Sequence, residues 1–179
     1  MNNLKDNLKK IFSSKEINSR VMSLGQRLSE DFEGKNPIFI GVLNGSFMFM
    51  ADLMKSISIT CEVDFIKLHS YKGTKSTGEI KLLKETSIDL KHRNIVIVED
   101  IIDTGMTVKH LINLLQNSNP KSISVATLLF KSGLTDLNFN IDYIGFEITK
   151  EFVVGYGLDY NQKFRNLNSI YLLQDENTN

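Results

Sequence analysis

Two adjacent acids, Glu99 and Asp100, close a run of four apolar residues from Ile95 to Val98. A third acid, Asp103, opens the turn Asp103-Thr104-Gly105 that follows. The apolar run reads as a strand buried on both faces. Beyond Met106 and Thr107, the residues Val108, Leu111, Ile112 and Leu115 recur at helical spacing. A strand that ends in acids and turns through Gly into a helix makes an anion site. Free backbone N–H groups and the helix dipole hold a phosphate, while the carboxylates reach hydroxyls or a metal ion.

Such a turn must be held by a sheet, and the rest of the chain supplies one. Leu4, Leu8, Ile11 and Phe12 fall on one face of a short opening helix. Ser13 and Glu16 form a capping box for a second helix that buries Ile17, Val21, Leu24 and Leu28. Residues 38–43 read as a buried strand, followed by an Asn44-Gly45-Ser46 turn and a helix through Phe47, Met50, Ala51 and Met54. Further strands are expected at 63–68, 122–130, 143–146 and 152–156. Residues 72–78 carry no large apolar side chain and read as a loop. Strands alternating with helices predict an α/β fold around a mainly parallel sheet. No repeat or linker divides the chain, so residues 1–179 read as one domain. Ligands of such sheets bind beyond the carboxyl ends of the strands, where the Asn44 turn, the 72–78 loop and the Glu99–Thr107 turn all lie.

Composition narrows the classes of function. The chain has 179 residues, 41% of them hydrophobic, and a formal net charge of zero. It is large enough to bury a core without staples and carries no general attraction for nucleic acid or anionic membranes. The single Cys61 excludes an internal disulfide and suits a core thiol. The polar N-terminus has no apolar signal core, and no run is apolar enough to span a bilayer, so a cytoplasmic protein is expected. Neither a P-loop motif nor a dinucleotide fingerprint is present. His69, His92 and His110 show no metal-ligand spacing.

The Ile95–Thr107 segment resembles the phosphoribosyl-pyrophosphate signature of the type I phosphoribosyltransferases. The likeness extends through Leu43–Leu53, His69-Ser70-Tyr71 with Ser76–Ile80, and Phe152–Tyr160 with Phe164-Arg165. Those blocks are similar, in order, to the hypoxanthine-guanine branch of that family, over about residues 38–173. The resemblance implies a core of about residues 36–160 and a hood built from the N-terminal segment and residues 161–179. It implies transfer of phosphoribosyl from phosphoribosyl pyrophosphate to a 6-oxopurine, with Mg2+ as cofactor, in a homodimer or homotetramer. Glu99 and Asp100 would face the ribose hydroxyls and a metal ion, and Asp159 would hold a second. Thr104, Gly105, Met106 and Thr107 would bind the 5′-phosphate. Asn44, Gly45 and Arg165 would bind pyrophosphate, with an unusual cis peptide at Asn44. Asn44 stands where relatives often carry a basic residue, which leaves backbone N–H groups as the donors there. Lys131, Phe152 and Val153 would bind the purine, and Ser70 and Tyr71 would begin a lid. Asp103 would take the N7 proton as general base; its type also suits a helix N-cap.

Overall fold

A computed structural model of the chain describes residues 7–70, 80–133 and 137–174, with the side chains of 69, 70, 80 and 81 left aside. The main sheet has six strands in the order β4-β3-β2-β5-β6-β7. They are β2 (Ile38–Leu43), β3 (Glu62–Ser70), β4 (Ile80–Lys84), β5 (Asn94–Ile102), β6 (Ser122–Lys131) and β7 (Tyr143–Ile148). All neighbours pair in parallel except β3 and β4, which are antiparallel. The expected α/β architecture with a mainly parallel sheet is the one observed.

Helices cover both faces, which is why the central strands are apolar throughout. Alternation along β5 sends Val96 and Val98 toward α1 (Ser14–Asp31) and α2 (Phe47–Ser56). Ile95 and Ile97 face the other way, into the cluster that holds Val108, Leu111 and Leu115 of α3 (Met106–Gln116). The α1 capping box is present: Ser13 Oγ accepts from the Glu16 N–H, and the Glu16 carboxylate accepts from the Ser13 N–H at 2.8 Å. Ile17, Val21, Leu24 and Leu28 are the buried face of that helix.

A second, three-stranded sheet has the order β1-β9-β8. It joins β1 (Leu8–Phe12) and β9 (Ile170–Leu173), and pairs β9 with β8 (Val153–Val154), all antiparallel. Here the structure corrects the sequence reading. The opening segment is a strand where it is described, because a helix so short gains too little by itself while pairing with β9 satisfies its backbone. The β4 and β9 strands were not anticipated: β4 is a short edge strand, and β9, although central in its small sheet, is only four residues long. The strand expected at 152–156 stops at Val154, where Gly155, Tyr156 and Gly157 take left-handed φ values of 98°, 51° and 99°. The α2 core face is Phe49, Met50 and Leu53, whereas Phe47 and Ala51 face outward. Tyr71 and residues 72–78 lie outside the described residues. Among the described residues, no helix is long and apolar enough to cross a membrane.

Ser13→Ala removes the cap that satisfies the first turn of α1. Its unfolding free energy should fall by roughly 0.5–2 kcal/mol, read by denaturant titration, with a Ser13→Thr variant retaining most of it.

Candidate active site

The parallel strands deliver their carboxyl ends to one edge of the sheet, and the predicted chemistry collects there. β5 does not stop before its acids: Glu99 and Asp100 are inside the strand, both under 10% exposed. Pairing with β6 continues on both sides of them, at Val98–Ala126 and Ile101–Leu129, and Glu99 itself pairs with Thr127. Glu99 Oε2 is buried with no hydrogen-bond partner. Burial, then the charge of Asp100 and its hydrogen bond, push the Glu99 carboxyl well above the usual range. Burial also raises Asp100, to about 6, against its own backbone hydrogen bond and that of Ile101, the Glu99 bond and the Arg165 charge. Two carboxyls this close titrate as a pair.

After β5, Asp103 and Thr104 are exposed and Gly105 turns at φ 71° to become the N-cap of α3. The cap has no side-chain hydrogen bond, so Asp103 is not a helix cap. Its carboxylate instead pairs with Lys131 Nζ at 3.0 Å, at the end of β6. That leaves the first-turn N–H groups of α3 open to an anion, as helix geometry requires of an uncapped start. Met106 is 64% exposed, consistent with a main-chain contribution.

The turn between β2 and α2 contains the expected cis peptide, at Leu43-Asn44. Asn44 is exposed, and Ser46 Oγ is buried and donates to the Val42 carbonyl at 2.6 Å. Gly45 lies directly against Asp100: a Cβ there would be 1.8 Å from Asp100 Oδ2. On its other side, a Cβ at Gly157 would be 2.1 Å from the Gly45 carbonyl oxygen. The turn is thus sandwiched between the acid pair and the C-terminal loop. In that loop Asp159 accepts from the Gln162 N–H at 2.8 Å and pairs with Arg165 at 2.7 Å. Arg165 also donates to the Gly157 carbonyl at 2.8 Å. Phe152 is half exposed beside buried Val153, and Tyr160 packs edge-on to its ring at 5.8 Å between centroids.

The sites predicted for purine (Lys131 with Asp103), ribose (Glu99 with Asp100) and pyrophosphate (Gly45, Arg165) therefore meet along one rim. Ser70 and Tyr71, the predicted lid, are outside the side chains described. Sequence reasoning missed Gly157 and Tyr160. The Gly-Tyr-Gly spelling at 155–157 was the available signal for the first, and the place of Tyr160 at the end of the Phe152–Tyr160 block was the only one for the second.

A parallel sheet with an acid pair in a central strand, an uncapped helix start behind it and a glycine turn against it is the architecture of a phosphoribosyltransferase. The phosphoribosyl transferase domain model matches residues 7–161. The chain is 40% identical over 175 residues to the hypoxanthine-guanine phosphoribosyltransferase of Streptococcus mutans, covering 97% of each. It superposes on the hypoxanthine phosphoribosyltransferase of Staphylococcus aureus with a TM-score of 0.90 at 37% identity, covering 97% of this chain and 96% of that one. It also matches the bifunctional protein TilS/HprT of Listeria monocytogenes, 40% identical over 169 residues, and spans about a quarter (26%) of that relative's length. The chain belongs to the phosphoribosyltransferase family, in its hypoxanthine-guanine branch.

The buried acid pair has a measurable cost. A carboxyl whose folded pKa is raised favours the folded state fully below its unfolded value near 4, and loses that benefit as pH rises through the folded value. Glu99→Gln removes one of the two ionisations. The variant should unfold at a higher temperature than the wild type at pH 8, and the gap should shrink toward pH 5. A gap independent of pH would contradict the ionisation account.

Proposed function

We propose that the protein transfers 5-phosphoribosyl from phosphoribosyl pyrophosphate to hypoxanthine or guanine, yielding IMP or GMP and pyrophosphate in purine salvage. The observation that carries this is the Lys131–Asp103 pair at 3.0 Å. One edge of a 6-oxopurine offers a hydrogen-bond acceptor, O6, next to a donor, N7–H. Lys131 and Asp103 offer the complementary donor and acceptor, side by side. When the base enters, each exchanges its partner for the matching purine atom, so neither the donor nor the acceptor is left without a hydrogen bond. Adenine would set its 6-amino donor against an ammonium, leaving both unpaired. Sites built for hydrogen bonding reject such analogues strongly.

The remaining residues divide the donor substrate among them. The N–H groups of Thr104 to Thr107 hold the 5′-phosphate at the start of α3. Glu99 and Asp100 accept from the ribose hydroxyls, which would give the orphaned Glu99 Oε2 a donor. Gly45, the Asn44 backbone and the Arg165 fork hold the pyrophosphate. Phe152 lies on the base, and the Val153 backbone meets its edge. Asp103 takes the N7 proton as the bond from N9 to C1 of the ribose forms and the bond to pyrophosphate breaks. Carboxylates dominate the donors, and a hard cation carried in by substrate phosphates suits Glu99 and Asp100 on one side and Asp159 on the other. Magnesium bound there would neutralise the charge that pyrophosphate gains on leaving.

The reading is tested with the wild-type protein, phosphoribosyl pyrophosphate, magnesium and a panel of purines. Hypoxanthine or guanine should be consumed with release of pyrophosphate, and adenine should be slower by orders of magnitude; equal turnover of adenine would overturn it. Asp103→Asn should lower turnover by roughly 10²–10⁴-fold while leaving the unfolding midpoint nearly unchanged, because Asp103 does not cap α3. Near-normal turnover would remove Asp103 as the base.

A further inference from the structure

Tyr156 belongs to none of the roles above, yet its setting is unusual. It is a bulky residue at φ 51°, flanked by two left-handed glycines, with only 3% of its surface exposed. A non-glycine residue holds that backbone conformation only where its surroundings impose it. Its Oη donates to Asp52 Oδ2 at 2.7 Å, and the other Asp52 oxygen accepts from Lys55 at 2.8 Å. Burial, followed by the bond to Asp52 and its charge, pushes the Tyr156 phenol well above its usual range, so it stays a donor.

The location of the two partners gives this bond its consequence. Asp52 lies on α2, the helix that leaves directly from the Asn44–Ser46 turn. Tyr156 precedes Gly157, whose Cα rests on the Gly45 carbonyl, and leads into Leu158 and Asp159. Its own N–H is tied to the Leu167 carbonyl at 2.7 Å, and the Gly157 N–H to that of Arg165 at 2.9 Å. The loop carrying Asp159 and Arg165 therefore meets the α2 unit through a glycine contact and through a phenol–carboxylate hydrogen bond. The first sets how close they come. The second is the directional one.

We propose that Tyr156 and Asp52 are a positioning pair that holds the Asp159–Arg165 loop in register with the Asn44–Ser46 turn, so that the two halves of the pyrophosphate subsite act together. This rests on the proposed function, and it leaves the Lys131–Asp103 purine edge untouched. A charge-assisted bond of this kind is among the stronger ones.

Tyr156→Phe keeps the ring and deletes only the donor. KM for phosphoribosyl pyrophosphate, and for pyrophosphate in the reverse direction, should rise roughly ten-fold, while KM for hypoxanthine stays within about two-fold. The rise in unfolding midpoint on adding phosphoribosyl pyrophosphate with magnesium should shrink in parallel. Asp52→Ala should reproduce the effect, and Asp52→Asn, which retains an acceptor for the phenol, should restore most of the affinity. Equal changes in both KM values, or a lowered midpoint with both KM values unchanged, would reduce the pair to packing and overturn the proposal. A wild type that binds phosphoribosyl pyrophosphate but forms no nucleotide would overturn the functional reading alone. The midpoint comparison would still decide the pair.

Discussion

The end of β5 carries two carboxyl groups almost out of water, one with an oxygen that meets no donor. Everything else at the rim is arranged around that burden. An unpaired buried charge costs several kcal/mol or forces the group to stay protonated. Neither outcome serves stability, and neither residue packs as well as the isoleucines and valines before it. The strand tolerates the pair because β6 holds the backbone on either side of it and because apolar layers fix β5 from both faces. In the proposed reaction the deficit becomes an affinity: ribose hydroxyls and a cation supply what the folded chain withholds.

The same logic of provisional partners runs along the rim. Asp103 is held by Lys131, and Asp159 by Arg165. Each pair neutralises groups that would otherwise lie open to water, and in the proposed reaction each would exchange its partner for a hydrogen bond to substrate. Glycine is needed where the backbone itself must come close. At Gly45 any side chain would collide with Asp100, and at Gly157 it would collide with Gly45. The two glycines let three segments distant in sequence stack directly against one another.

Much of this was legible in the chain. The apolar run before Glu99, the helical spacing after Gly105 and the Ser13–Glu16 box are local signals, and local backbone physics decided those elements. The less legible parts depend on distant partners. Leu8–Phe12 has an amphipathic helical pattern and becomes a strand only because Ile170–Leu173 lies beside it. The Val153–Val154 strand is cut short by left-handed residues that a pattern of apolar side chains does not reveal. The family resemblance, not the residue types alone, implied that Asp103 and Lys131 belonged to one site. Their pairing, and the absence of a capping role for Asp103, required the register of β5 against β6. The contact of Tyr160 with Phe152 had no sequence signal, being a matter of loop geometry alone.

The most direct measurement is a crystal structure of the protein with bound IMP. The account predicts that Lys131 Nζ leaves Asp103 and donates to the purine O6 within hydrogen-bond distance, while the Asp103 carboxylate faces N7. It also predicts that the 5′-phosphate rests on the amides of Thr104 to Thr107. An intact Lys131–Asp103 pair, with the purine bound elsewhere, would contradict it.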